Sequence, residues 1–217
     1  MAPARTTIAA ANASNVTMDW LTAAALVALG GGLYWRFRDD ILAADFHAGG
    51  FNPLILFLLI FVLIGLRYAA KAALGTLRLR KYGSSWLDAD PLVPGQPFTA
   101  LLRTAADLKA PDEFAFNLRC IKTVVSGGPA DHSRHKQSIR WEKTVHVKTN
   151  GLRSSQGIPV TIGVPADVPV TTVPEGGPLT EGIRWALIVR AARPGLDYEA
   201  TFGMRAITEG DASEFEA

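Results

Sequence analysis

The segment FNPLILFLLIFVLIGL, residues 51–66, constrains this chain more than any other stretch. From Leu54 to Leu66 it carries no charge, and a helix built from it is apolar on every side. Such a helix must be enclosed, by a large protein core or by lipid. The rest of the chain forms no core large enough. With the flank Tyr68–Ala73 the run reaches the roughly 20 residues of a membrane span, whose lower limit is near 17. Arg67 and Lys71 can snorkel to the interface.

A second apolar run, WLTAAALVALGGGLYW, covers residues 20–35 and reaches span length with Met18 and Asp19. It does not read as a signal peptide: only Arg5 precedes it, offset by Asp19, and no small-residue cleavage site follows before Arg36-Phe37-Arg38. Trp20, Tyr34 and Trp35 stand at its ends, where an interfacial aromatic belt places them. The sequence therefore predicts two transmembrane helices, about 18–36 and 51–73, within a segment 18–81 that ends in a basic juxtamembrane stretch. Ala24, Ala28 and Gly32 fall four apart on one helical face, with Gly31 and Gly65 as further small positions. This face is expected to pack the first helix on the second, and a homo-oligomer contact is the alternative use of it.

Orientation follows from the basic residues. Arg67, Lys71, Arg78, Arg80 and Lys81 follow the second span; Arg36 and Arg38 in the connecting loop have Asp39, Asp40 and Asp45 nearby. The bias puts both termini in the cytoplasm and the 36–50 loop outside. Residues 1–17, rich in Ala, Thr and Asn, are expected to be disordered, and 209–217 to form a frayed acidic tail.

From Ser84 onward the apolar period becomes two. Phe98, Ala100 and Leu102 share a face; so do Phe114, Phe116, Leu118 and Cys120; Ile139, Trp141, Val145 and Val147; Ile158, Val160, Ile162 and Val164; Ile183, Trp185, Leu187 and Val189; and Tyr198, Ala200, Phe202 and Met204. With a short strand near Ser85–Asp88 this gives about seven half-buried antiparallel strands over 82–208. Turn signals separate them, among them Asn150-Gly151 and Arg193-Pro194-Gly195-Leu196. One-sided strands in such series bury their faces as a sandwich. The fold class is thus an N-terminal α-helical hairpin plus an all-β immunoglobulin-like sandwich.

Several stretches of this domain resemble arrestin-like sandwiches: Phe116-Asn117-Leu118-Arg119-Cys120, Gly157–Ile162 followed by Val164-Pro165-Ala166-Asp167-Val168-Pro169, Gly182–Val189, and PGLDYEATF at 194–202. The resemblance covers roughly residues 84–208 and is carried by structural motifs. With the hairpin included, the chain resembles bacterial two-span membrane proteins of unassigned function that carry an arrestin-like domain. The resemblance implies an arrestin-like fold, an inner-membrane location and protein binding.

Chemistry-bearing patterns are few. Asp131-His132-Ser133-Arg134-His135 is the histidine cluster that could hold a metal, but its spacing is not that of a helical zinc motif, and a solvated polar loop is the expected state. Cys120 lies on an apolar strand face, as a buried small hydrophobe does. A lone cysteine forms no internal disulfide. No nucleophile elbow, phosphate loop or dinucleotide fingerprint is present. The formal charge of +2 is too small to suggest nucleic-acid binding. No catalytic residue, cofactor site or metal site is assigned. The expectation is a membrane-anchored, non-catalytic adaptor or scaffold module that meets the bilayer and a protein partner, with loops 126–137 and 165–181 as contact regions. The alternative is a ligand- or metal-binding domain, or an enzyme, using residues 131–135.

Overall fold

The structure, a computed structural model, describes residues 5–43, 53–106, 113–126, 134–149, 151–172, 181–208 and 211. It divides into a helical unit, Asn12–Arg80, and a β unit made of Met1–Ala11 with Lys81–Ala217.

The helical unit is built from α1 (Asn12–Ala43) and α2 (Pro53–Tyr82). The two pack at small residues. A methyl group on Gly30 would touch Phe61 at 3.5 Å, one on Gly65 would touch Val27 at 3.6 Å, and Val16 lies so close to Gly75 that a methyl there has no room. The face of α1 turned to α2 carries Asp19, Ala23 and Gly30, all buried. Ala24, Ala28 and Gly32 are exposed, and nothing lies within 4 Å of a methyl placed on Gly32. The expected packing face is therefore wrong by about one residue, or roughly 100° of helix rotation. Two polar pairs go with this rotation: Lys71 Nζ donates to Asp19 Oδ1 at 2.9 Å and Trp20 Nε1 to Thr76 Oγ1 at 3.1 Å. The remaining described surface is apolar and open, with Leu21 60% and Leu66 60% exposed.

Among the described residues the β unit has eight strands: β1 (Thr6–Ala9), β2 (Ser85–Ala89), β3 (Pro97–Thr104), β4 (Glu113–Ser126), β5 (Arg134–Lys148), β6 (Ile158–Gly163), β7 (Gly182–Ala191) and β8 (Tyr198–Met204). They form two four-stranded sheets, ordered β1-β2-β3-β6 and β5-β4-β7-β8. All strand pairs are antiparallel. Alternate residues of both sheets meet in one core. Leu87, Phe98, Leu102, Ile158 and Ile162 come from the first sheet; Phe114, Phe116, Leu118, Trp185, Leu187, Val189 and Phe202 come from the second. Two one-sided sheets thus remove their apolar faces from water together, at roughly 25 cal/mol per Å².

Two expectations are corrected. Residues 1–17 are not uniformly disordered: Thr6–Ala9 pairs with Trp86–Ala89 as an edge strand, and helix begins at Asn12. The Thr-Thr-Ile run is β-branched, the edge of β2 offers unpaired backbone groups, and Ile8 packs on the core. Residue-type composition registers none of this, and the strand count rises from about seven to eight. Second, Ile139 does not share a face with Trp141. The β4–β5 register shifts between Cys120 and Ile121, so that Cys120 faces Trp141 while Ile121 faces Ile139. The extra residue, Arg140, makes a bulge that turns Ile139 outward, 52% exposed.

The turn at Arg193–Leu196 is as its sequence requires. Gly195 has φ of +82°, and Asp197 Oδ1 accepts from the Arg193 amide at 2.9 Å.

Candidate functional site

Of the sequence cluster at 131–135, residues 131–133 lie outside the described residues. Arg134 and His135 open β5 opposite Ser126 and Val125, so 134–137 is strand rather than loop. Among the described residues no three His, Cys, Asp or Glu side chains are grouped to hold a metal ion. His146 is placed on the outer face of the sheet, where Nδ1 meets Glu113. Cys120 is fully buried, and burial pushes its thiol up from the ordinary range, Arg140 pulling weakly the other way. A raised thiol is a poor nucleophile.

The 165–181 segment is described up to Thr172, and that part is tied down. The Thr171 amide donates to Ala206 O at 3.0 Å while its hydroxyl accepts from the Ala206 amide at 2.7 Å. Thr172 makes the same reciprocal pair with Ile183, at 3.2 and 2.8 Å. Trp185 Nε1 donates to Pro169 O at 3.0 Å. This stretch lies against the core, with Val168 packed on it. Residues 173–180 lie outside the described residues.

Charge on the strands is arranged unevenly. Over most of the sandwich, cations are matched across strands: Arg119 to Glu142 at 3.2 Å, Arg190 to Glu199 at 3.7 Å, Arg103 to Asp88 at 3.2 Å and Arg5 to Asp90 at 3.2 Å. Asn117 links Thr144 and Arg119 by bonds of 2.7 Å each. The far end of the β4–β5 pair differs. The stretches CIKTVVS (120–126) and RHKQSIRW (134–141) contain Lys122, Arg134, Lys136 and Arg140 and no acidic residue. Strand β7 accompanies β4 only to Thr123, so Val124–Ser126 with Arg134–Lys136 is a two-stranded extension. Residues 136–140 are all exposed, and β5 is an outer strand of its sheet. Neither Arg140 nor Lys136 was singled out by sequence patterns; the readable signal was the lack of any Asp or Glu in 120–126 and 134–141.

Among the described residues two concavities stand out. One, of about 410 Å³ and almost wholly apolar, lies on the helical unit beside Gly30, Gly31 and Gly65. The other, about 220 Å³, sits at the end of the sandwich between Ile8, Asp90, Leu92, Met204 and Arg205. Neither gathers the paired acid, base or nucleophile of a catalytic centre.

Comparison with known proteins gives little beyond this geometry. No family model matches the chain, and no curated protein matches it. Among solved structures the chain is similar to Spo0M, a sporulation control protein from Bacillus subtilis, at 15% identity and a TM-score of 0.33. That match covers 56% of this chain and 49% of Spo0M, about half the length of that protein.

Proposed function

We propose that the chain is a membrane-anchored, non-catalytic interaction module, with α1 and α2 crossing a bilayer as a hairpin and the sandwich presented on one side for a protein partner. One observation carries the reading. Strand β1 precedes the helices, β2 follows them, and the two are hydrogen-bonded neighbours. A strand pair cannot have its members on opposite sides of a bilayer, so the chain between them crosses an even number of times. The helices supply two segments of sufficient length and apolarity, Val16–Asp39 and Leu58–Tyr82. Their outward residues are Leu, Val, Ile and aromatic, a surface that costs free energy in water and none in lipid.

The basic residues Arg78, Arg80 and Lys81, at the C-terminal end of α2, favour the cytoplasmic side for the sandwich and both termini. An arrestin-like character of the sandwich and an inner-membrane location belong to the same proposal. Alkaline carbonate washing tests the anchor: the chain is expected in the pellet, and release to the supernatant overturns the two-span reading. Sidedness is tested in a Cys120→Ala background with an impermeant maleimide on intact cells. Ala48→Cys should label and Ser213→Cys should not.

A further inference from the structure

We infer that the outer edge of β5, from Lys136 to Trp141, is a docking strand for an acidic extended segment of a protein partner, which adds to the β5-β4-β7-β8 sheet as a fifth strand. The inference rests on the interaction-module reading above and names the surface and the chemistry of its partner.

Three observations converge on this edge. Among the described residues, no backbone hydrogen bond outside its own ladder with β4 reaches residues 134–142. An edge strand in this state presents free N–H and C=O groups to any extended chain that approaches it. Among the described residues its cations also have no acid opposite them, unlike Arg119, Arg190, Arg103 and Arg5. Lys122 lies opposite Ser138, Val124 lies opposite Lys136, and no acid occurs in 120–126 or 134–141. Finally, the bulge at Arg140 turns Ile139 out beside Ile121, giving an apolar contact on the face opposite to Lys122 and Lys136.

These features choose among occupants. A second copy docking by the same edge would set the cations of 136–140 against those of the other copy, and like charges across a strand pair are destabilising. A lipid surface would use the cations but has no strand to satisfy the backbone edge. An extended segment alternating Asp or Glu with aliphatic residues uses all three. Its carboxylates would meet Lys136 and its neighbours on one face, its aliphatic side chains would meet Ile139 on the other, and its backbone would pair with β5.

The test uses the full chain in nanodiscs of phosphatidylcholine, with a fluorescent peptide alternating Glu and Val as the probe. A version with Lys for every Glu is the control. The acidic peptide should bind and the lysine version should not. Lys136→Glu with Arg140→Glu should weaken binding at least tenfold, and both positions are exposed, so the melting temperature serves as the control for folding. Amide exchange should slow in residues 136–141 on binding. The proposal is overturned by undetectable binding of the acidic peptide, by equal binding to the doubly substituted protein, or by binding without protection of β5. It is also overturned if the two cations matter only for binding of vesicles containing phosphatidylglycerol. Because the assay is independent of carbonate extraction and of partner capture, a protein partner retained by the doubly substituted chain would remove this edge and leave the interaction-module reading standing.

Discussion

The amide of Ala10 donates to the carbonyl of Ser85 at 2.9 Å, across 75 positions that include both helices. With Thr7 Oγ1 donating to Asp88 Oδ1 at 2.7 Å, this bond makes the N-terminus a structural part of the sandwich. Deleting residues 1–9 should therefore destabilise the β unit. Four cross-strand pairs at roughly 0.2–1 kcal/mol each set the scale at about 1–4 kcal/mol. Thermal unfolding of the full and truncated chains in the same detergent measures it. An unchanged melting temperature would show that β1 contributes nothing and that the even-crossing argument loses its support.

Trp185 is the second test, because the phase of β7 depends on it. The side chain is 2% exposed, its ring lies 5.6 Å from that of Trp141, and its indole donates to Pro169 O. Trp185→Ala should cost about 3–5 kcal/mol. Arg190, further along the strand, points outward to Glu199 with its side chain 59% exposed, and Arg190→Ala should cost under about 1 kcal/mol. Arg184 is half-buried and so a poorer surface control than Arg190. Urea titration of the two variants compares them, and equal losses would mean the strand's faces are reversed.

How far the sequence reached can be judged from these same residues. The alternation in β7 and β8 was legible because both strands bury one face without interruption, so Ile183, Trp185, Leu187, Tyr198 and Phe202 fall where a period of two puts them. The alternation in β5 misled at Ile139 because one inserted residue, Arg140, reverses the faces, and no local composition marks a bulge. Strand β1 was missed since four residues carry too little periodicity and their pairing partner is far along the chain. The rotation of α1 was missed because small residues were weighed and the Asp19–Lys71 pair was not. For the candidate surface, Lys136 and Arg140 look like any solvated cations until the pairing shows that, among the described residues, β4 sets no acid opposite them.

Tyr198 predicts an alkaline limit to stability. It is buried between Tyr82 and Phe114, and its hydroxyl donates to Ser85 Oγ at 2.9 Å. Burial, eased slightly by the Ser85 bond, raises its pKa from an ordinary 10.0 to about 12. The native state therefore prefers the neutral phenol. That preference contributes fully below the unfolded value and is lost as pH rises from about 10 through about 12, at most roughly 2–3 kcal/mol. Tyr198→Phe should lower stability at pH 7 by about 0.5–1.5 kcal/mol for the lost hydrogen bond and should flatten the decline above pH 10. A decline of unchanged steepness in the variant would assign it to another group.

Cys120 offers the last prediction and the simplest probe of the core. It is fully buried on β4 opposite Trp141 and Trp185, and burial holds its thiol protonated. Because the chain has one cysteine, modification reports on that position alone. Alkylation at pH 8 should be slow in the native protein, since the thiolate is the reacting form and the side chain must first be exposed. It should approach the rate of a free thiol in urea. Substitution separates packing from chemistry. Cys120→Ala removes one sulfur from an apolar site and should cost little more than the small cavity it leaves, about 1 kcal/mol. Cys120→Ser is the closer isostere, yet it puts a hydroxyl on the buried face of β4, opposite Trp141 and Trp185, so it should cost about 1–3 kcal/mol. Serine more damaging than alanine is the expected order. The reverse order, or native labelling as fast as in urea, would place Cys120 on the solvent side and reverse the faces of β4.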